Sequence, residues 1–515
     1  MRSIKLDEML KVYGECLSPQ SITDLKKMRS GNWNEFEYKF VDFELLGAFY
    51  DVCPDLNSDM LTPYIKDEKY TKRFSHRQQT FEQLLKYDCP DTPSFTYNKY
   101  YRKARKDLVK AMTNNLSGKL NPMRVKDEED LFELWSNKDA SAGAIGIGSK
   151  EKNVKEILYS VSKLESEIAI NNSPIIPAIA YHRAQISRNG ETKQKDRLVW
   201  GIDAATNSIE GKYARPLINH LVGNWYNYAG GLNPYELRER VNQVTGRSKN
   251  WLSSDYSGFD QTVPAWIIKD CFKIIKEEFF SPEFYQELDW ICQRFICTHI
   301  LFSNDVVYVK TKGIPSGSYF TQVIGSMVNF LLYVTFLWKS GVMPNCVEKD
   351  RINLLVMGDD SLLGYYGFFD LNAFSSYILK NFGVKIGVEK TKSGSTVKLE
   401  RPEFLKREWH GFEGEYRNPY EVIANSIHPE HVRNYKGYTP YMIIFGLYCI
   451  YKKAFNRIDE IKLRENLGSD FNSEYLTRLA MGNDLPGVFQ AFKDKTAEFL
   501  GGELKRIWRL RNPNG

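Results

Sequence analysis

Two apolar runs, Leu354-Leu355-Val356-Met357 and Leu362-Leu363, flank Gly358-Asp359-Asp360-Ser361. Apolar runs of strand length broken by Gly-Asp predict a β-hairpin. Successive residues on extended backbone point to opposite sides, so the tip presents at least one carboxylate outward. Taken alone, the motif reads first as a surface turn, because Gly and Asp are ordinary turn residues. The rest of the chain supplies partners in a fixed order.

Upstream, Trp251-Leu252-Ser253-Ser254 runs into a turn bracketed by Asp255 and Asp260. Pro264 suits the first position of a following helix, where Ile267, Ile268, Cys271, Ile274 and Ile275 recur at helical spacing. His299–Phe302 and Val306–Val309 are strand-like. Gly313-Ile314-Pro315-Ser316-Gly317 is a flexible loop feeding a long apolar helix predicted from about 318 to 338. Asp370 is expected to cap a short amphipathic helix with Leu371, Phe374, Ile378 and Phe382 on its core side. Val384–Val388 reads as a strand ending in Glu389-Lys390-Thr391-Lys392, and Phe404-Leu405-Lys406-Arg407 as a further strand with a basic tip. From about 415 the pattern is mostly helical.

The 515 residues, 42% hydrophobic, are ample for a large core with several subdomains. A net charge of +6 permits a nucleic-acid partner without arguing for one. The eight cysteines are scattered and form no C-x-x-C, which argues against a disulfide framework and a zinc ribbon. His428 and His431 have no nearby Cys and read as a surface pair. Met1–Glu8 lacks the apolar stretch of a signal peptide, and Phe330–Trp338 is too short to span a bilayer. The expectation is a soluble chain, intracellular or held inside a particle.

Residues 1–90 carry no motif and are expected to pack across another part of the chain. Tyr97–Lys110 interleaves three tyrosines with six basic residues, which suits either a solvated helix face or a phosphate-contacting one. Ser141–Lys150 holds three glycines that allow close backbone approach to a ligand. It lacks the ending of an ATP-binding P-loop. Arg183, Arg188, Lys193, Lys195 and Arg197 form a basic finger running into Leu198-Val199-Trp200. Such a finger suits a triphosphate, or is simply an exposed hairpin. The tail interleaves Lys505, Arg506, Arg509 and Arg511 with Ile507, Trp508 and Leu510. Asp255 and Asp359 end two strands about a hundred residues apart. If those strands share a sheet, their carboxylates converge, and hard oxygen ligands suit Mg²⁺ or Mn²⁺. Two such ions serve phosphoryl transfer.

The ordered set resembles the viral RNA-dependent RNA polymerases. Ser141-Ala142-Gly143 is similar to their motif G, Arg183 with Lys195-Asp196-Arg197 to motif F, and Asp255 with Asp260 to motif A. Ser316-Gly317, Thr321 and Asn329 resemble motif B, Gly358-Asp359-Asp360 motif C, Lys390 or Lys392 the motif D lysine, and Phe404–Arg407 motif E. The resemblance covers residues 141 to about 410, and the motif B phrase is most like the small double-stranded RNA viruses of the picobirnavirus and partitivirus lineage.

The resemblance implies an α+β fold, a closed right hand whose palm is an antiparallel sheet flanked by helices. It implies an N-terminal extension at 1–90, fingers at 91–250 and 281–315, palm at 251–280 and 316–414, and a mostly helical thumb with a basic tail at 415–515. Asp255 and Asp359, assisted by Asp360, would hold two Mg²⁺ or Mn²⁺ ions, and Lys390 would be the general acid. Arg183, Lys195 and Arg197 would hold the triphosphate, and Asp260, Ser316, Gly317, Thr321 and Asn329 would meet the nucleotide. Ser141, Gly143, Lys406 and Arg407 would touch RNA. The implied partners are RNA template and product, ribonucleoside triphosphates and a viral capsid protein. The chain would be monomeric, with no membrane, in the virion interior or host cytoplasm. One position departs: many positive-strand RNA virus polymerases carry Asn where Gly325 stands, and here the Asn comes at 329. A reverse transcriptase would share the acids but usually has an aromatic residue at Gly358 and a bulky one at Asp260. A capsid-associated RNA-binding scaffold would need neither Asp255 nor Asp359.

Overall fold

The computed structural model describes residues 1–28, 41–65, 70–72, 77–88, 90–135, 137–184, 186–188, 196–303, 305–348, 351–411, 415–428, 440–450, 455 and 458–466. It is a mixed helix-and-sheet fold built around one buried helix, Thr321–Ser340. Every residue from Val323 to Leu337 is buried. By length and composition this helix could cross a membrane, but 83% of its apolar window is buried inside the protein. A helix apolar on all sides is what the core of a large protein requires.

Around it pack the helices Lys99–Met112, Ala265–Ile274 and Leu371–Phe382 and the strand Leu354–Met357. The expected helices form for the expected reasons. Asp370 accepts from the Ala373 amide at 2.9 Å, Phe374, Ile378 and Phe382 are buried, and Gly383 ends the helix in the left-handed conformation. On Lys99–Met112 the buried stripe is Tyr101, Ala104, Leu108 and Met112. Its basic residues line the outer side, with Arg105 paired to Asp270 at 3.1 Å and Lys103 over the Trp338 ring.

The central sheet has four antiparallel strands in the order Leu354–Met357, Asp360–Tyr365, Asn250–Ser253, Lys392–Ser395. The predicted hairpin is its first pair. A five-stranded outer sheet runs Arg2–Lys5, Val306–Val309, His299–Ser303, Ala178–Ala184, Asp196–Gly201. The N-terminal segment therefore packs across the fold, as expected, and in two places. Residues 2–5 complete the outer sheet, and helix Phe43–Val52 shares a separate core with helices Pro419–Ile427 and Pro440–Ile450.

Two sequence expectations fail. Val384–Val388 is not a strand; only an isolated bridge joins Ile386 to Tyr256, and the Gly387 amide donates to the Asp255 carbonyl instead. Phe404–Arg407 is not a strand but a tight turn between Glu403–Phe404 and Arg407–Trp409. His431, Lys195 and the basic tail from Lys505 lie outside the described residues.

Candidate active site

Met357 pairs with Asp360, so the hairpin turns on Gly358 and Asp359 alone. Gly358 has φ +61, where a side chain is strained. The neighbouring strand pairs Leu252 with Leu363, and continuing that register brings Asp255 level with Asp360. Past Ser253 the chain is tied sideways. The Asp255 carbonyl accepts from Gly387 at 2.8 Å, and its amide donates to Thr391 Oγ1 at 3.3 Å. Asp255 and Asp359 are exposed, and Asp360 is half-buried.

A polar stripe on the core helix holds both acidic segments from behind. Gly325, Ser326, Asn329 and Tyr333 follow the three-to-four-residue spacing that puts side chains on one helix face. Ser326 Oγ accepts from the Gly358 amide at 2.8 Å. The Asn329 amide donates to the carbonyls of Gly358 at 3.0 Å and Asp360 at 3.2 Å, and its oxygen accepts from the Tyr256 hydroxyl at 2.9 Å. Tyr333 hydrogen-bonds both Ser254 and Ser361, the residues just before Asp255 and just after Asp360. Burial raises the Tyr256 hydroxyl well above its usual range, and Tyr333 and the charge of Asp359 add to this. Tyr256 therefore stays a donor to Asn329.

Gly325 faces the turn itself. A Cβ there would lie 3.1 Å from the Gly358 Cα, so glycine permits the close approach of helix and turn. Asn329 is fully buried, with its amide committed to the turn. Its expected place among nucleotide-contacting residues is corrected on that ground: the side chain supports the acids.

The loop preceding the helix lies beside this turn. Asp260, exposed on the short helical stretch Phe259–Thr262, accepts from the Ile314 amide through its carbonyl at 2.7 Å. Gly313 and Gly317 have φ +79, and a Cβ on either would meet backbone, the Asp260 carbonyl or the Trp200 carbonyl. The Thr321 hydroxyl donates to the Pro315 carbonyl at 2.6 Å, and Ser316 is half-buried. Behind the loop sit two fully buried groups that sequence reasoning missed. Lys310 donates to the carbonyls of Phe295, Ile296, Lys312 and Gly313. Glu210 accepts from the Tyr319 amide at 3.0 Å, and burial pushes its carboxyl up to about 8.

A model of the viral RNA-dependent RNA polymerases matches residues 61–424, well over half the chain. The chain belongs to this family. The RNA-directed RNA polymerase of Cryptosporidium parvum virus 1 is 29% identical over 236 residues, 42% of this chain and 41% of that protein. The RNA1 polyprotein of Broad bean wilt virus 2 is 28% identical over 217 residues, 39% of this chain and 11% of that protein. The matched regions thus span well under half of these relatives. A crystal structure of the RNA-dependent RNA polymerase of a human picobirnavirus shares the fold with a TM-score of 0.61 and 14% identity, covering 97% of this chain and 95% of that one. The first of these relatives is from a double-stranded RNA virus, in agreement with the lineage suggested by the motif B phrase.

The other polymerase motifs are placed unevenly. Arg183 and Arg197 are cross-strand partners at the free end of one hairpin. Ser141 is exposed, but Gly143 is buried, and a Cβ there would lie 2.9 Å from the Asp203 Cα. The close approach expected of Gly143 is therefore to its own chain and not to RNA. Lys390 is exposed, one residue from the Thr391 hydroxyl that meets Asp255. Lys392 lies in the sheet, ion-paired with Glu403. Lys406 is exposed at its turn. Arg407 is corrected as an RNA contact: its side chain is 4% exposed and ion-paired with buried Glu415 at 3.3 Å.

The family generally uses divalent cations, and carboxylates at adjoining strand ends are suitable hard donors. Among the described residues, no three acid, histidine or cysteine side chains are already gathered as a ligand set. Ser326 and Tyr333 were missed because each lies within an apolar run, and Tyr256 and Glu210 because their partners are distant in sequence. The available signal was polar residues at helical spacing on an otherwise apolar helix.

Proposed function

We propose that the chain catalyses template-directed RNA synthesis by two-metal nucleotidyl transfer. One observation carries this reading: a single buried helix, through Asn329 and Tyr333, anchors both acid-bearing segments at the same end of one sheet. Asp255 and Asp359, with Asp360, are the residues that would hold two Mg²⁺ or Mn²⁺ ions. Such ions activate the attacking hydroxyl and stabilise the departing oxygen. The 3′-hydroxyl of the growing strand gives up its proton to water as its oxygen bonds the α-phosphorus, the α–β bridging bond breaks, and pyrophosphate leaves. Lys390 gives the leaving group its proton, a contribution of about 10²–10⁴-fold for general acids. Arg183, Lys195 and Arg197 hold the triphosphate. Asp260, with Ser316, Gly317 and Thr321, meets the ribose, because buried polar groups discriminate against a sugar that leaves them unpaired. Ser141 and Lys406 touch RNA.

On the same reading, residues 91–250 and 281–315 are fingers, 251–280 and 316–414 palm, and 415–515 thumb and tail, with 1–90 bridging them. The enzyme replicates and transcribes a viral genome as a monomer, against a capsid protein in the virion or in host cytoplasm. Gly358 and Asp260 favour this reading over a reverse transcriptase.

The test is extension on a homopolymer template with rNTPs or dNTPs, with and without primer. Ribonucleotide-dependent extension is expected. Equal dNTP use would favour a reverse transcriptase, and RNA binding without extension a scaffold. Asp260→Ala should lower the kcat/KM ratio of GTP to dGTP, and an unchanged ratio would remove Asp260 from sugar selection.

A further inference from the structure

The helix Ala204–Asn224 carries polar side chains into the core that the polymerase motifs do not account for. Asn207 and Glu210 are 7% and 1% exposed, one helical turn apart, and both reach the loop before the core helix. Asn207 Nδ2 donates to the Gly317 carbonyl at 3.1 Å. Glu210 accepts from the Tyr319 amide at 3.0 Å and from the Ser318 hydroxyl. On the far side, Lys150 Nζ donates to Asn207 Oδ1 at 3.1 Å, with its ammonium over the Trp135 ring. Lys150 is itself 9% exposed and ends the 141–150 loop. Two buried side chains, Asn207 and Glu210, thus hold three consecutive residues of the nucleotide-facing loop from behind, and Lys150 holds Asn207.

We propose that Lys150, Asn207 and Glu210 are positioning residues for ribose selection, fixing residues 317–319 so that Ser316 and Thr321 face the sugar. The inference rests on the polymerase reading above. Gly317 cannot hold its conformation by steric means alone, since glycine is permissive on both sides of φ zero. On one rigid helix, Asn207 donates to the Gly317 carbonyl and Glu210 accepts from the Tyr319 amide, and the two supply the missing constraint. The pair also explains the choice of residue types. Asn can donate to a carbonyl and accept from Lys150 at once. At position 210 only an acceptor is needed, and burial keeps the carboxyl largely protonated near neutral pH, so a neutral amide can replace it.

The test compares Glu210→Gln, Glu210→Leu, Asn207→Leu and Lys150→Met in the full chain. Two readouts are used: the kcat/KM ratio for GTP over dGTP, and hydrogen exchange at the Tyr319 amide. Glu210→Leu and Asn207→Leu should lower the ratio by roughly tenfold or more, because each removes two buried hydrogen bonds. Lys150→Met should lower it less, acting through Asn207. Glu210→Gln should keep it. Exchange at Tyr319 should accelerate in Glu210→Leu and not in Glu210→Gln. Equal losses for GTP and dGTP, or a Glu210→Gln as impaired as Glu210→Leu, would overturn the inference. Failure of the polymerase reading shows separately, as absent extension by the wild-type chain. Exchange then still decides whether Glu210 fixes the loop, and unchanged exchange in Glu210→Leu overturns the proposal.

Discussion

Two tight hairpins, nearly fifty residues apart, solve the same geometric problem by opposite means. The turn at Gly358-Asp359 places glycine at φ +61, and a Cβ there would have nothing within 4 Å. The turn at Leu405-Lys406 places two ordinary residues at φ +56 and +57, at roughly 1–2 kcal/mol each. The first is locally cheap and is held by hydrogen bonds, one donated to Ser326 by the Gly358 amide and one from Asn329 to the Gly358 carbonyl. The second is locally strained and is held by burial. Phe404, Leu405 and Trp409 join a core with Trp251, Leu355 and Leu362, the Trp409 indole donates to the Phe404 carbonyl at 3.0 Å, and Arg407 pairs with Glu415 beneath. The relaxed turn is the one that carries chemistry, with exposed Asp359 at its tip. Packing can force a turn, but a turn that must present a carboxylate at a fixed place is better served by relaxed backbone and polar struts.

The largest effect that tests this contrast is on chemistry. Asp359→Asn should reduce kcat by at least about 10³-fold, each tenfold step being about 1.4 kcal/mol of barrier. Circular dichroism and RNA affinity should be unchanged. Turnover near the wild-type rate would remove Asp359 from the centre and make its hairpin as structural as the other.

Next comes the strained hairpin's anchor. Arg407→Met leaves Glu415 buried, with Arg238 at 3.9 Å. Breaking a buried pair typically costs about 3–5 kcal/mol, so chemical denaturation should show a loss near the lower figure. The salt dependence of RNA affinity should stay as in wild type. A shallower salt slope, by about one unit, would restore Arg407 as a phosphate contact.

The struts of the relaxed hairpin should give a smaller effect. Asn329→Leu removes both donors to the turn, and kcat should fall about 10–100-fold, as for loss of one or two buried hydrogen bonds. The preference for GTP over dGTP should not move. A fall in that preference with kcat preserved would make Asn329 a sugar contact after all.

The two turns also show what was readable in advance. Gly358-Asp359 between apolar runs has the residue chemistry of a hairpin, and Asp255 before Pro264 has that of a strand turning into a helix. These signals are local, and they placed the acids and the core helix correctly. Leu405-Lys406 has no turn chemistry and reads as strand; its conformation comes from Trp251 and Leu355, both distant in sequence, and from Glu415 on the next strand. Val384–Val388 failed likewise, because a hydrophobic run looks the same whether it pairs in a sheet or passes beneath Asp255. Arg407 looked like a phosphate contact because its buried partner comes eight residues later, on another strand.

The smallest effect isolates the backbone strain itself. Lys406 is exposed, so Lys406→Gly removes little packing while freeing a residue from φ +57. Relief of roughly 1–2 kcal/mol is offset by the greater freedom glycine has in the unfolded chain, roughly 0.5–1 kcal/mol. The net expectation is a gain of about 0.5–1 kcal/mol, read as a higher denaturation midpoint at unchanged slope. Gly358→Ala is the mirror experiment. Nothing crowds that site, so a loss of about 1–2 kcal/mol there would be strain alone. Leu405→Gly should separate strain from burial, because Leu405 is only 7% exposed and its lost packing outweighs the relief. If Lys406→Gly destabilised the protein, the second hairpin would not be strained, and the contrast between the two turns would reduce to the presence or absence of Asp359.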